Sequence, residues 1–216
     1  MKPTPLLLLL ALLTLVACSE PDRPTIGLYP AIHRGDIDQI ERQIYWGADI
    51  NQEDADGRRP LHVAAEQGRY VIVRILLDNG AAIDAEDSRG HTPLESALFA
   101  GRTRVAELLI QRGAKFDPDR LLDEVVRAGL KDRDTIALLV RQGADPDHLS
   151  SDGFTPLTRA VSQNNRVLAK HLIAQGADVN RPDANGETPL AIALRQGYDA
   201  IERLLKRNGA RPGKQG

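Results

Sequence analysis

Residues 59–81 read RPLHVAAEQGRYVIVRILLDNGA and contain the helical part of one structural unit of the chain. The stretch predicts a short inner helix over Pro60 to Gln67, a break at Gly68, and an outer helix over Val71 to Asp78. Proline fits the first turn of a helix, where its missing N–H is not needed, and glycine readily takes the left-handed conformation that ends one. Because one helix pair cannot bury the apolar residues of its outer helix alone, the stretch indicates a unit that needs neighbours.

The same pattern returns along the chain at a nearly fixed interval. A Gly-Ala pair ends a helical stretch at Gly47, Gly80, Gly113, Gly143, Gly176 and Gly209. Four of the five intervals are 33 residues, and the third is 30. A second mark of the Thr-Pro-Leu type starts at Arg59, Thr92, Thr155 and Thr188. A period of this length is typical of repeat proteins, which bind through an extended surface.

These marks, together with GADVN at 176–180, resemble the ankyrin repeat. The resemblance covers about residues 28 to 212 and implies an all-α ankyrin-repeat solenoid of about six helix-turn-helix units with short β-hairpin fingers. The domain is predicted at 28–216, with units at about 28–51, 52–84, 85–117, 118–147, 148–180 and 181–212. In the fifth unit Asn164 stands where the other units have the glycine between the helices. We expect the break to be kept, because Asn visits positive φ more readily than most residues.

The fourth unit is degenerate. Leu121 stands in the proline position only four residues after Asp117, where the other units have nine, so five finger residues are missing. The segment from Gly129 to Gly143 is two residues longer than its counterparts. The net loss of three residues gives the interval of 30. We therefore predict a truncated finger near Pro118 to Arg120 and a notch in the row of fingers. The notch would admit a partner's side chain, or it reflects neutral drift.

The N-terminus predicts an export signal over residues 1–17. Its apolar run, residues 6–17, is shorter than the roughly 20 residues that span a bilayer and fits the core of a signal peptide. The run ends in LVAC at 15–18, which resembles the bacterial lipobox and implies lipidation of Cys18, the only cysteine. An ordinary secretory peptide is the alternative. Residues 18–27 are predicted to be a tether. In the lipoproteins that carry the lipobox, an Asp directly after the cysteine favours the inner membrane, so the resemblance, with Ser19 at this position, implies the periplasmic side of the outer membrane.

Composition and motif spacing argue against several function classes. The chain carries 28 Lys and Arg against 30 Asp and Glu, so no overall positive field attracts nucleic acid. No two of the five histidines share a ligand spacing, and we predict no catalytic, cofactor or metal site. His62 is predicted to order a finger, and His91 and His148 to be exposed in fingers. The acidic run at 53–56 is predicted to be a solvated finger tip.

Ankyrin proteins usually bind partners with their finger tips and the concave face of their inner helices. The resemblance therefore implies a protein partner at the finger positions Arg58, His91, Phe154 and Glu187. The matching inner-helix positions are Glu66, Gln67, Phe99, Ala100, Ser162, Gln163, Arg195 and Gln196. Because aromatic residues dominate binding hot spots, Phe99 and Phe154 are the strongest candidates; packing against a neighbouring finger is the alternative.

Trp46 is the other aromatic exception, because the matching position is polar in every other unit. It is predicted either to be covered by Leu28 and Tyr29 or to form a contact site near the tether. The whole chain is similar to periplasmic ankyrin proteins of Pseudomonas-type bacteria. This implies a monomeric, non-enzymatic interaction module, anchored by lipid in the bacterial envelope, that supports a periplasmic enzyme in oxidative-stress defence. The alternative is an inhibitor or immunity protein against a toxic enzyme in the periplasm.

Overall fold

The computed structural model describes residues 20–212, so the predicted signal peptide and Cys18 lie outside the described residues. Within that range the chain forms twelve helices and no strand. The helices are α1 (Leu28–Arg34), α2 (Ile37–Tyr45), α3 (Pro60–Glu66), α4 (Tyr70–Asp78), α5 (Pro93–Phe99), α6 (Thr103–Gln111), α7 (Pro118–Arg127), α8 (Arg133–Arg141), α9 (Pro156–Ser162), α10 (Arg166–Ala174), α11 (Pro189–Gln196) and α12 (Asp199–Arg207). None of these helices combines the length and apolar character that a membrane crossing requires.

The helices stack as two layers. The odd-numbered inner helices pack on one another in chain order, and from α4 onward the even-numbered outer helices do the same. One continuous hydrophobic core joins all the units. A leucine near the start of each inner helix from α3 onward is buried in it: Leu61, Leu94, Leu122, Leu157 and Leu190. The predicted all-α solenoid of helix pairs is confirmed.

A residue with positive φ separates the two helices of each pair. Five of the six are glycines, and the sixth is Asn164, whose φ is 53°. Asn164 is the one non-glycine residue with positive φ in the part of the chain described. Since a short polar side chain tolerates this conformation better than most, the substitution keeps the break in the fifth unit, as predicted.

The fingers are hydrogen-bonded turns and not paired strands. In the third unit the N–H of Asp87 donates to the carbonyl of His91 at 2.9 Å, and the Asp87 carboxylate accepts the N–H groups of Arg89 and His91. Asp54 closes its own finger in the same way and is half-buried. The prediction of a solvated acidic tip therefore holds for its exposed neighbours Glu53 and Asp56 but is wrong for Asp54.

The fourth unit has lost its finger, as the spacing predicts, but residues 118–120 do not form a truncated one. They are the first turn of α7, which has ten residues where α5 has seven. The Asp117 carboxylate caps this turn by accepting the N–H groups of Asp119 and Arg120, and Pro118 takes the first helical position. An Asp-Pro start is a favourable helix N-terminus, so helix formation replaces the stub of the finger.

Residues 20–27 lie along α2. The N–H of Thr25 donates to Gln39 Oε1 at 2.8 Å, and Gln43 Nε2 donates to the carbonyl of Ile26. Tyr29 does not cover Trp46, because its hydroxyl lies 2.6 Å from the carbonyl oxygens of Gln52 and Arg58 at the following finger. Burial and the nearby Asp54 carboxylate raise the pKa of Tyr29 to about 12.

Candidate partner-binding surface

Finger residues and inner-helix residues eight positions later meet in three units. Arg58 Nη1 lies 3.4 Å from Glu66 Oε2, and Glu187 Oε2 lies 2.7 Å from Arg195 Nη2. Between them along the solenoid, the rings of His91 and Phe99 pack with their centroids 5.1 Å apart. The two sets of residues predicted to bind partners therefore touch pairwise on one surface.

A groove of about 550 Å³ opens beside Phe99, between α5 and α7. Phe99, Ala100, Ala128 and Leu130 give it apolar lining. Its polar lining comes from Glu66, Arg89, His91, Ser96, Glu124 and Arg127. Four of the predicted positions, Glu66, His91, Phe99 and Ala100, thus share one concave site. Volumes of this size are typical of binding clefts.

The missing finger explains why the groove is open. Between the second and third units, His62 Nε2 lies 3.0 Å from the carbonyl of His91, so the next finger stands against α3. No finger stands against α5 in the same way, because the chain passes from Asp117 directly into α7. Instead, Arg120 Nη2 lies 2.5 Å from Glu95 Oε1, which fastens α7 to α5 and leaves the space beside Phe99 empty.

Fixed charges flank the apolar lining. Arg89 is held by Asp87 at 2.9 Å and Arg127 lies 3.4 Å from Asp152, yet both guanidinium side chains are more than half exposed. Burial raises the pKa of Asp87, but hydrogen bonds from His91 and Arg89 outweigh it and bring the pKa to about 2. Asp87 is therefore ionised at neutral pH and positions Arg89 at the rim.

His62 is confirmed as a structural residue. Its side chain is buried, its Nδ1 accepts the N–H of Arg59 at 3.1 Å, and its Nε2 therefore carries the proton and donates to His91. Burial lowers the pKa of His62, which keeps the ring neutral.

The other two histidines differ from their prediction, because neither is fully exposed. His91 is half-buried against Phe99. His148 is also half-buried, and its Nε2 lies 3.4 Å from Asp123 Oδ2 on α7. Within residues 20–212, no three His, Cys, Asp or Glu side chains are placed to hold a metal ion.

The remaining predicted positions lie outside this groove. Phe154 is half-buried beneath the guanidinium of Arg159, 3.9 Å from its ring centroid, so its own unit covers it. Gln163 donates to the carbonyl of Arg127 at 3.0 Å. Gln67 contacts His33 of the first unit, and the Ser162 hydroxyl donates to the carbonyl of Arg159. Glu187, Arg195 and Gln196 lie on the last unit, beyond the fourth and fifth.

Sequence reasoning missed the contribution of the fourth unit to the groove. Glu124, Arg127, Ala128 and Leu130 line it, but no family motif marks these positions. The 30-residue interval was the available signal, because it locates the lost finger beside α5. The predicted notch corresponds to this groove, which is displaced from residue 119 toward the C-terminal end of α7.

Known proteins resemble the chain over different lengths. It is 43% identical over 53 residues to the potassium channel KOR1 of Oryza sativa subsp. japonica, which covers 24% of this chain and 6% of the channel. The human ASB11 ankyrin repeat domain matches with a TM-score of 0.69 and 28% identity over 88% of both chains.

A third likeness concerns the fold alone. The chain is similar in fold to a chain in the complex of the Bd0816 predatory endopeptidase from Bdellovibrio bacteriovorus with the immunity protein Bd3460. The TM-score is 0.66 at 24% identity, over 86% of this chain and 99% of that one. The family model described as ankyrin repeats (3 copies) matches residues 28–120 and 124–215, which is most of the chain. The chain therefore belongs to the ankyrin repeat family, whose repeats mediate binding to protein partners.

Proposed function

We propose that this chain is a non-enzymatic module that binds a protein partner in the groove between α5 and α7, while lipid on Cys18 holds it at the periplasmic side of the bacterial outer membrane. The observation that carries the proposal is the coincidence of two features. Among the described inner helices, only α5 carries a Phe, Tyr or Trp near its C-terminal end, namely Phe99. The unit that follows α5 is the one that has lost its finger.

The groove is suited to an apolar side chain of the partner. Phe99 is already packed on His91, so its ring loses little freedom when a partner covers it. The small side chains of Ala100 and Ala128 also line the groove, and Leu130 extends the apolar lining. The exposed guanidinium groups of Arg89 and Arg127 can donate to carboxylate or carbonyl groups on either side of the inserted side chain.

The binding experiment captures envelope proteins with the chain from Cys18 onward and quantifies them by mass spectrometry. Phe99→Ala is expected to weaken retention of the specific partner by about thirtyfold, since a hot-spot residue contributes about 2 kcal/mol. Phe154→Ala is the matched control, because Arg159 already covers that ring. Equal retention by the unchanged chain and by Phe99→Ala would show that the groove is not the site.

The lipid anchor has a separate test. Mass spectrometry of the protein made in a Gram-negative host is expected to show an acylated N-terminal cysteine at Cys18. Membrane fractionation is expected to place the unchanged chain in the outer membrane and Cys18→Ala outside it. Unmodified Cys18, or equal membrane retention of Cys18→Ala, would contradict the proposed anchor without touching the groove.

The captured protein also decides between support and inhibition. If the chain supports a periplasmic enzyme in oxidative-stress defence, the purified enzyme gains activity with the chain, and a deletion strain becomes sensitive to peroxide. If the chain is an inhibitor or immunity protein, the same assay shows lost turnover of a toxic enzyme. In both cases Phe99→Ala should reduce the effect, because both depend on the same groove.

A further inference from the structure

Two aromatic side chains stand exposed at the first end of the solenoid. Trp46 directly follows α2 as its C-cap and is 39% exposed, and Tyr45, the last residue of α2, is 57% exposed. Their rings form an edge-to-face pair with centroids 5.7 Å apart. The C-cap residues that follow the other outer helices are all polar: Asn79, Arg112, Gln142, Gln175 and Asn208. The pair therefore has no counterpart in the other five units.

The N-terminal segment is fastened directly to this pair. Trp46 Nε1 donates to the carbonyl of Pro21 at 3.2 Å, and the Arg23 guanidinium lies 5.0 Å from the centroid of the Trp46 ring. Asp22 adds an ion pair to Arg42 of α2 at 3.7 Å. Residues 21–25 therefore lie against α2 and do not lead freely away from it.

This attachment limits the distance between Cys18 and the aromatic pair. Cys18 precedes Pro21 by three residues, which span at most about 11 Å when fully extended. An acyl chain on Cys18 would enter the bilayer at the end of this short span. Trp46 and Tyr45 would then lie within reach of the lipid headgroups.

The chemistry of the pair suits a lipid surface. Tryptophan and tyrosine are enriched where membranes meet water, because each joins an apolar ring to a polar group. The Arg23 side chain can keep its guanidinium in the headgroup layer while its methylene groups lie along the Trp46 ring. On α2, Arg42 pairs with Asp38 at 2.9 Å as well as with Asp22.

We infer that the first unit contacts the membrane through Trp46 and Tyr45, so that the solenoid stands on the bilayer by its N-terminal end and presents the α5–α7 groove away from that contact. This inference rests on the proposed lipidation of Cys18. It adds a lipid-binding surface to the anchor and assigns the exposed Trp46 a partner that is not a protein.

The test uses the intrinsic fluorescence of Trp46, which is the only tryptophan in the chain. The chain from Cys18 onward contains the continuous core that the structure describes over residues 28–205, so we expect it to fold, and its helical circular dichroism signal checks this before coupling. Its single thiol is coupled to a maleimide-headgroup lipid in vesicles of phosphatidylethanolamine and phosphatidylglycerol, with and without brominated acyl chains. Coupling replaces the natural lipidation, so the result does not depend on whether a cell acylates Cys18.

The expected result is a shift of the emission maximum to shorter wavelength on coupling and a loss of emission intensity in the brominated vesicles. The control is the double variant Trp46→Asn with Asn79→Trp, which moves the indole to the matching position of the second unit. Its emission should resemble that of the uncoupled protein. If that variant loses the helical circular dichroism signal, Asn208→Trp in the last unit replaces Asn79→Trp.

Two outcomes would overturn the inference. One is unchanged Trp46 emission in coupled, brominated vesicles, which would show that the anchored solenoid does not rest on this pair. The other is equal quenching of Trp46 and of the relocated tryptophan, which would show contact without a preferred end. Neither outcome bears on the lipidation test, which reads the mass of the N-terminal peptide.

Discussion

The third and fourth units begin their inner helices in different ways. The third unit uses a finger and then a reciprocal cap, in which Glu95 accepts the N–H of Thr92 and the Thr92 hydroxyl accepts the N–H of Glu95. The fourth unit has no finger, and Asp117 caps a longer helix directly. The comparison shows that losing a finger does not unfold its unit, because an added helical turn satisfies the backbone and the lost volume becomes a groove.

The link between neighbouring units changes with the finger. His62 and Glu95 occupy the same position in their helices, the third residue after the cap. His62 donates to the backbone of the next finger, whereas Glu95 accepts from Arg120 of the next helix. Glu95 is almost completely buried, so an ion pair has replaced a neutral hydrogen bond at the place where the finger is missing.

Removing the Glu95 carboxylate should produce the largest loss of stability. Glu95→Ala leaves the Thr92 N–H without its acceptor, removes one of the two carboxylates that pair with Arg120, and opens space in the packed interior. We expect the free energy of unfolding to fall by about 3 kcal/mol, since a lost hydrogen bond to a charged group costs about 1.5 to 3 kcal/mol. Urea unfolding followed by circular dichroism measures this change.

Glu66→Ala is the control for this prediction. Glu66 also pairs with an arginine, Arg58, but its carboxylate is about half exposed. Its loss should change stability by less than about 0.5 kcal/mol, as is usual at the surface. Equal effects of the two substitutions would mean that Glu95 does not replace the finger contact.

A smaller loss is expected at the cap of the fourth unit. Asp117→Ala removes the acceptor for the N–H groups of Asp119 and Arg120. The expected cost is about 1 kcal/mol, the usual contribution of a helix N-cap. Asp134→Ala, an exposed acidic residue in the first turn of α8, is the control and should cost less. If Asp117→Ala had no effect in urea unfolding, the added turn would not depend on this cap.

The smallest expected effect is the pH dependence of the unfolding free energy. It should depend on His62, which forms the hydrogen bond to the finger of the third unit. Burial lowers the pKa of His62, so below its ordinary value of 6.5 the unfolded chain binds a proton that the folded chain does not. The stability that this difference in pKa contributes is therefore fully present above pH 6.5 and decreases as the pH falls toward the pKa of His62 in the folded chain. His62→Thr, which copies Thr158 of the fifth unit, should reduce the difference between unfolding free energies at pH 7 and pH 5. His148→Thr serves as the comparison, and an undiminished difference in His62→Thr would contradict this assignment.

Much of the fold was predictable because the signals are local. The Thr-Pro-Leu and Gly-Ala marks act through caps and positive φ within a few residues, so they locate the helices closely. The Asp117-Pro118 start is also local. The repeat pattern nevertheless predicts a later helix start, because Leu121 occupies the position of the proline in the other units.

The site was less predictable because its contacts join separate elements. The packing of His91 on Phe99 and the pairing of Glu95 with Arg120 require knowing how a finger or helix crosses its neighbour. Phe154 looked equivalent to Phe99 in sequence, yet Arg159 covers it. Likewise, only the path of the N-terminal segment shows that Pro21 and Arg23, and not Tyr29, contact Trp46.

Site-specific photo-crosslinking in the intact envelope shows whether the groove left by the missing finger holds a protein partner. A photoreactive residue replaces Ala128 in the groove or, as a control, Ala174, which is exposed on α10. We expect one dominant protein adduct from position 128, none from position 174, and loss of the adduct when Phe99→Ala is added. No adduct from position 128, or the same adduct from both positions regardless of Phe99, would contradict this expectation.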